Sequence, residues 1–209
     1  MRSVNDLIIL HFQKGFFNMT NNRLKNIVKA TLEPIVKRAL QAKTHISFWL
    51  DPTFDDAKSV IKIPINSSRV TRADAPAGVY NSYTLHGSEI ILAGGWFGAC
   101  MNNAIRSIMK SFFRNPSLAK TGELTIRMPG RAVYDQRNLL SEISNNNIAH
   151  DLVDALQRSK VLKKIEVKER GLQILIIKSQ TNETILKKII VAPPTMPTLE
   201  IFDIVFLID

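Results

Sequence analysis

The sequence predicts an α/β fold: a mixed central sheet, about three flanking helices and an antiparallel, β-rich C-terminal part. Over residues 1–158, short apolar runs with β-branched residues alternate with helical patterns. From residue 159 onward, apolar runs follow one another with only turn residues between them. We therefore expect a mixed α/β core domain at 1–158 and a β-rich C-terminal extension at 159–209, packed on that core.

The first strand and the first helix are the clearest elements. Residues 4–12 form an apolar run with β-branched content, which is typical of a buried strand. Thr20 is a suitable N-cap for the helix that follows, in which apolar residues recur at helical spacing up to Leu40. Because proline lacks a backbone N–H, Pro34 is expected to kink or divide this helix.

The elements after that helix alternate between strand and helix. Residues 66–82 indicate a surface loop, a helix is expected to begin at Cys100, and residues 139–156 are helical in pattern. The expected strands are residues 45–50, 59–65, 89–93, 123–128, 161–169, 172–179, 185–191 and 199–207. Turn signals separate the last four strands, so an antiparallel meander is expected there.

Positive charge is the strongest signal in the composition. The chain has 28 Lys and Arg against 18 Asp and Glu, a net charge of +10. The excess is concentrated in residues 1–44 and 101–150, and it predicts a polyanionic partner: RNA, DNA or an acidic membrane surface. The candidate nucleic-acid-binding residues lie on the polar faces of two helical patterns: Arg23, Lys25, Lys29, Lys37, Arg38, Arg106, Lys110 and Arg114.

Several other classes of protein are disfavoured. A single cysteine excludes an intramolecular disulfide, and no apolar run has the length of a membrane span or a signal-peptide core. An intracellular location is therefore expected, in the cytoplasm, an organelle matrix or a virion interior. The four histidines, at positions 11, 45, 86 and 150, lack metal-ligand spacing, and no nucleotide-binding signature occurs. We expect neither a metal nor a cofactor.

The stretch from residue 88 to 113 combines an apolar strand, a glycine turn and the start of a helix at Cys100. Backbone N–H groups and the positive end of a helix dipole would lie beside the thiol there. This arrangement suits a nucleophilic cysteine or a bound anion. It equally suits a cysteine buried in the core, because free cysteine is among the most buried residue types.

Three segments together resemble the isochorismatase-like cysteine hydrolases. Residues 7–17 resemble that family's opening strand, residues 90–104 its glycine turn and nucleophilic cysteine, and residues 60–64 the segment with its lysine. The resemblance implies Cys100 as nucleophile and Lys62 as the lysine that holds the thiolate. The family's aspartate position is occupied by His11, which supplies no negative charge to balance Lys62.

Three functions remain open on the sequence alone. The leading hypothesis is a non-catalytic basic protein that binds the phosphate backbone of nucleic acid, or belongs to a ribonucleoprotein or viral-type assembly. A matrix-like role at acidic membranes is its close variant. The alternative is a cysteine hydrolase that cleaves a small amide with Cys100, Lys62 and His11. The third is an interaction subunit whose charge matches a protein partner or a second copy.

Overall fold

The protein is represented by a computed structural model. It describes residues 4–13, 22–54, 61–62, 67–119, 123–135, 138–143, 147, 151–152, 163–164, 171–178, 183–189, 191–192 and 201–208. Within these ranges, no helix has both the length and the apolar character needed to cross a bilayer.

Five parallel strands form the centre of the fold and confirm the α/β class. They are β1 (Asp6–Leu10), β2 (His45–Leu50), β3 (Val70–Asp74), β4 (Glu89–Gly94) and β5 (Glu123–Met128). Their order in the sheet is β3-β2-β1-β4-β5, so β1 is central and pairs with both β2 and β4. All five β1 residues are buried, as expected for a parallel strand that is covered on both faces.

The sheet is accompanied by the helices α1 (Asn22–Gln41), α2 (Cys100–Arg114) and the short α3 (Pro116–Ala119). Ile8 and Leu10 of β1 belong to the same apolar cluster as the buried face of α2. Leu7 and Ile9 belong to a second cluster with the buried face of α1. Because successive side chains of a strand point to opposite faces, α1 and α2 cover opposite faces of the sheet.

Two local predictions, the surface loop at 66–82 and the strand at 59–65, need correction. The third strand is Val70–Asp74, inside the expected surface loop, and Ile61 and Lys62 lie in no strand. The other residues of the expected strand at 59–65 lie outside the described residues. The polar sequence of β3 carries no strand signal. This strand is formed by pairing with β2 and not by an apolar pattern of its own. Helix α1 runs through Pro34 without being divided there.

The C-terminal strands are β6 (Lys163–Lys164), β7 (Gly171–Lys178), β8 (Glu183–Ile189), β9 (Val191–Ala192) and β10 (Ile201–Ile208). An antiparallel C-terminal part is not supported, because β10 lies between β5 and β7 and is parallel to both. Antiparallel pairing occurs between β7 and β8 and between β6 and β9. An apolar run such as that of β10 indicates a strand but carries no information about its direction.

Candidate functional site

The chain changes direction across the sheet between β1 and β4, which are neighbours at its centre. From β1 it proceeds outward to β2 and β3, and it then returns to β4 on the other side. In open α/β sheets, the crevice at the carboxyl ends of the strands beside such a switch point is where ligands bind. His11 follows β1, Asp51 follows β2, and Cys100 follows the glycine turn after β4. We call these three residues the carboxyl-edge group.

The turn that leads to Cys100 requires glycine. Gly94 and Gly95 have φ values of 70° and 71°, in the left-handed region that favours glycine. A Cβ atom on Gly94 would overlap the carbonyl oxygen of Leu10, and one on Gly95 would lie 3.2 Å from the Cys100 sulfur. The turn therefore brings the backbone of β4 close to β1 and places the thiol against it.

The Cys100 thiol is buried and held by the turn. The Trp96 N–H donates to Sγ at 2.9 Å, and the thiol lies 3.6 Å from the Trp96 carbonyl oxygen. Burial raises the pKa of Cys100 to about 11, although backbone N–H groups at Trp96 and Met101 oppose the rise. The negative charge of Asp51 raises this pKa further. The thiol is therefore protonated at neutral pH, which is the opposite of an activated nucleophile.

His11 occupies a constrained position in the same crevice. It is buried, its φ is 42°, and its Nε2 lies 3.0 Å from the carbonyl oxygen of Ala75. A carbonyl only accepts, so Nε2 carries a proton. Burial lowers the pKa of His11, with the Ala75 hydrogen bond and the charge of Asp51 acting in the opposite direction.

Asp51 supplies a carboxylate that the sequence motifs did not identify. Burial raises its pKa, but hydrogen bonds from the Thr53 hydroxyl and N–H, the charge of His11 and the Ala77 N–H together lower the pKa overall. The Gln13 side chain fixes the segment by accepting from the Asp51 N–H at 2.9 Å and donating to the Asp51 carbonyl at 2.9 Å. The position of Asp51 directly after a parallel strand is the sequence signal that could have identified it.

Of the carboxyl-edge group, Asp51 borders a cavity within the described part of the chain. A cavity of about 460 Å³ lies beside Asp51, Arg72 and Asp74, and Cys100 is not among its lining residues. Lys62 is exposed, whereas Cys100 and His11 are buried. An exposed ammonium is solvated by water, so it gives a buried sulfur little electrostatic support.

The cations of α1 lie on its exposed arc. Arg23 pairs with Glu142 at 3.0 Å, and Lys29 lies 3.8 Å from Glu33. Such exposed pairs contribute roughly 0–1 kcal/mol and are readily exchanged for other partners. Lys37 and Arg38 are also exposed, and Lys25 is half-buried at the edge of the arc.

Two of the three candidate cations of α2 hold the chain's own loop. Lys110 donates to Asn81 Oδ1 at 3.0 Å, and Arg114 donates to the Asn81 carbonyl at 2.9 Å. Arg106 donates to Asn103 Oδ1 at 3.2 Å on its own helix. Because α1 and α2 cover opposite faces of the sheet, the two sets of candidate nucleic-acid-binding residues do not merge into one patch.

A groove beside α1 adds two arginines that the sequence did not single out. Arg38 of α1, Arg127 of β5 and Arg131 line one cavity of about 450 Å³, which we call the arginine groove. These residues lie far apart in the sequence, and only the packing of α1 over the sheet brings them together. The alternation of side chains along β5 could have indicated Arg127 from the sequence, because it places Arg127 on the opposite face from its apolar neighbours.

A pair of histidines lies at the amino ends of the strands. The rings of His45 and His86 stack at 3.5 Å with 4° between their planes. His86 Nδ1 lies 2.8 Å from Oδ1 of the fully buried Asp6, which also accepts from the Tyr83 hydroxyl at 2.8 Å. Ring nitrogens project in the plane of each ring, so stacked rings do not converge on one metal ion.

Comparison of the chain with protein-family models, with curated proteins and with solved structures finds no match. The likeness to isochorismatase-like hydrolases therefore stays a prediction from short motifs.

Proposed function

We propose that this protein is a non-catalytic polyanion-binding protein whose α1 face binds the phosphate backbone of nucleic acid. One observation carries the proposal: the exposed arc of α1 and the arginine groove lie on the same side of the sheet. Helix α1 holds five Lys or Arg and one acidic residue, Glu33. Arginine and lysine on one exposed face supply contacts to phosphate that depend little on base sequence.

Nucleic acid fits this face better than a membrane does. A helix that lies in a bilayer surface inserts an apolar face among the lipid chains. The apolar face of α1 is instead buried against the sheet. Among the described residues, the exposed large apolar side chains are Leu40 and Val79, which gives little to insert. Electrostatic binding to a backbone needs no such insertion.

The test compares two variants that lose the same charge. In the α1 variant, Lys25, Lys37 and Arg38 are replaced by Gln. In the matched variant, Arg106, Lys110 and Arg114 are replaced by Gln. We expect the α1 variant to lose affinity for a single-stranded RNA and a duplex DNA of mixed sequence by about tenfold or more at low salt. The matched variant should stay within about threefold of the parent.

Fluorescence anisotropy measures the affinities, and circular dichroism checks that both variants fold. Equal losses in the two folded variants would show that net charge, not the α1 face, controls binding. Flotation with acidic and neutral liposomes is the companion measurement. Strong flotation with acidic liposomes, with no binding to RNA or DNA, would instead support the membrane role.

The cysteine hydrolase remains the second candidate, because His11, Asp51 and Cys100 follow neighbouring strand ends at one edge of the sheet. In such an enzyme, the thiolate attacks an amide carbon and a neighbouring base accepts the thiol proton. The buried, protonated state of Cys100 opposes this function in the conformation described. Hydrolysis of small amides that is lost in a Cys100→Ser variant would establish it.

A further inference from the structure

Two cations of α2 converge on one neutral residue. Lys110 Nζ lies 3.0 Å from Asn81 Oδ1, and a terminal guanidinium nitrogen of Arg114 lies 2.9 Å from the Asn81 carbonyl oxygen. Each cation donates one N–H there, although an ammonium has three N–H groups and a guanidinium has five. Because Asn81 is uncharged, these hydrogen bonds fix the position of both positive charges and neutralise neither.

The two segments that form this surface carry no negative charge. Neither residues 75–88 nor residues 100–114 contain an Asp or a Glu. Within the described part of the chain, no ion pair joins Lys110 or Arg114 to a carboxylate. The two like charges lie about one helical turn apart, so they repel each other and attract an acidic group from outside.

An exposed apolar side chain lies beside these cations. Val79 is 39% exposed and is one of two large apolar residues that are exposed among the described residues. It lies two residues from Asn81, so their Cα atoms are at most about 7 Å apart. The half-buried Tyr80 between them packs edge-to-face against the buried ring of Trp49. We call Val79, Lys110 and Arg114 the docking face.

Two serines of α2 hold the backbone of this segment in place. The Ser107 hydroxyl accepts from the Tyr80 N–H at 3.1 Å, and the Ser111 hydroxyl accepts from the Leu85 N–H at 2.9 Å. The segment is therefore fastened to the helix on both sides of Asn81. A surface that is fixed before binding loses little conformational entropy when a partner binds to it.

We infer that the docking face binds an acidic segment of a protein partner, in which apolar side chains accompany the carboxylates. The carboxylates pair with N–H groups of Lys110 and Arg114 that Asn81 leaves free, and an apolar side chain covers Val79. The exposed Val79 favours such a peptide over nucleic acid, because a phosphate backbone offers charge without apolar side chains. The docking face lies on the opposite face of the sheet from α1, so this inference does not rest on the proposed nucleic-acid function.

Fluorescence anisotropy with a labelled peptide of repeated Glu-Leu tests the inference. Companion peptides carry Gln in place of Glu, or Ser in place of Leu, and each should bind about threefold or more weakly than the Glu-Leu peptide. Lys110→Gln with Arg114→Gln should weaken binding of the Glu-Leu peptide by about fivefold or more, and Val79→Ser by about threefold or more.

The matched variant combines Lys37→Gln with Arg38→Gln on α1, which removes the same two residue types from exposed positions. It should retain the parent affinity for the Glu-Leu peptide. Equal losses in the two double variants would show that net charge alone attracts the peptide, and they overturn the docking face. Equal affinity for the Glu and Gln peptides, or an unchanged affinity in Val79→Ser, also overturns it.

Binding of a single-stranded RNA to the same variants separates this inference from the proposed function. Peptide binding that needs the docking face, without any RNA binding, supports the inference and refutes the nucleic-acid function. A loss of RNA binding in the α2 double variant that exceeds its loss of peptide binding makes this face a nucleic-acid surface and overturns the inference. Melting temperatures check that the variants fold, and the companion peptides test the unaltered protein in any case.

Discussion

Two opposing effects act on the pKa of Cys100. The start of α2 directs backbone N–H groups toward the sulfur and favours the thiolate, but burial favours the neutral thiol. Burial is the larger effect, since the pKa of Cys100 rises to about 11. The motif was visible in the sequence, whereas the burial that decides its chemistry depends on residues of β1 packed against it.

The first prediction concerns the reactivity of Cys100. At pH 7.5 we expect iodoacetamide to modify the folded protein on the order of a hundredfold more slowly than the protein unfolded in guanidinium chloride, because the buried thiol is protonated. Mass spectrometry over time gives both rates. Equal rates in the two states would refute the buried thiol and favour the hydrolase.

The second prediction concerns acid stability. Burial lowers the pKa of His11, and burial and the charge of His86 lower that of His45. Well above pH 6.5, the ordinary pKa of histidine, both residues are neutral in the folded and unfolded chains. Below that pH the unfolded chain binds protons that the folded chain does not, so the free energy of unfolding decreases as the pH falls. We expect the melting temperature to decrease between pH 7 and pH 5.

Histidine substitutions provide the control for this pH dependence. His45→Gln and His11→Asn should each reduce the decrease, and asparagine tolerates the left-handed backbone at position 11. The pKa of Asp51 is lowered from 3.8, so its own contribution is lost only at pH values below this window. A melting temperature that is independent of pH between 7 and 5 would contradict the assignment.

Among the elements, the turn between β4 and α2 shows how glycine fixes a site. Gly94 and Gly98 both have positive φ, but their surroundings differ. A Cβ on Gly94 would overlap the Leu10 carbonyl, whereas the nearest atom to a Cβ on Gly98 is 3.5 Å away, in Asp151. Substitutions at the two positions therefore distinguish the cost of backbone strain from the cost of steric overlap.

The third prediction uses this pair. Gly98→Ala should reduce the free energy of unfolding by about 1 kcal/mol through strain alone. Gly94→Ala should reduce it by about 3 kcal/mol or more, since overlap with β1 is added to the strain. Urea denaturation measures both. Equal losses would mean that β4 and β1 can separate to admit a methyl group, contrary to the close approach described.

The predictability of each element followed from where its stabilising contacts lie. Helical periodicity predicted α1 and α2, because the apolar residues of each buried face recur at helical spacing within the helix itself. Strand β3 was missed because it is polar and depends on pairing with β2, which lies more than 20 residues earlier. The direction of β10 was missed for the same reason, since its partners β5 and β7 are distant in the chain.

At the scale of the whole molecule, the sheet separates the candidate cations of α1 from those of α2. The sequence identified the candidate cations but not their separation into an α1 face and an α2 face. It also missed Arg127 and Arg131, which join Arg38 only through packing. Asp51 was missed in the same way, because its relation to His11 and Cys100 depends on strand order. Residue types were thus predictable, and their grouping required the topology.

The fourth prediction concerns salt. If the α1 face neutralises about four phosphates of a duplex, the logarithm of the binding constant should fall against the logarithm of salt concentration with a slope of about −3 to −4. The α1 variant should have a slope shallower by about two to three. Anisotropy titrations between 50 and 200 mM salt measure both slopes. A slope near zero for the parent protein would rule out backbone binding.

The central position of β1 also has a consequence for folding. Its Asp6 pairs with Ile90 of β4, so the centre of the sheet cannot close until the chain has extended through residues 89–94. Parallel pairing over such a separation gives high contact order, and contacts of this kind form late and slowly. Until then, Ile8 and Leu10 lack the α2 face that covers them in the folded protein, whereas α1 already precedes β4 and can cover Leu7 and Ile9. A nascent chain of this protein is therefore expected to expose one apolar face of β1 until α2 has been synthesised, and an exposed strand of this kind is prone to aggregation.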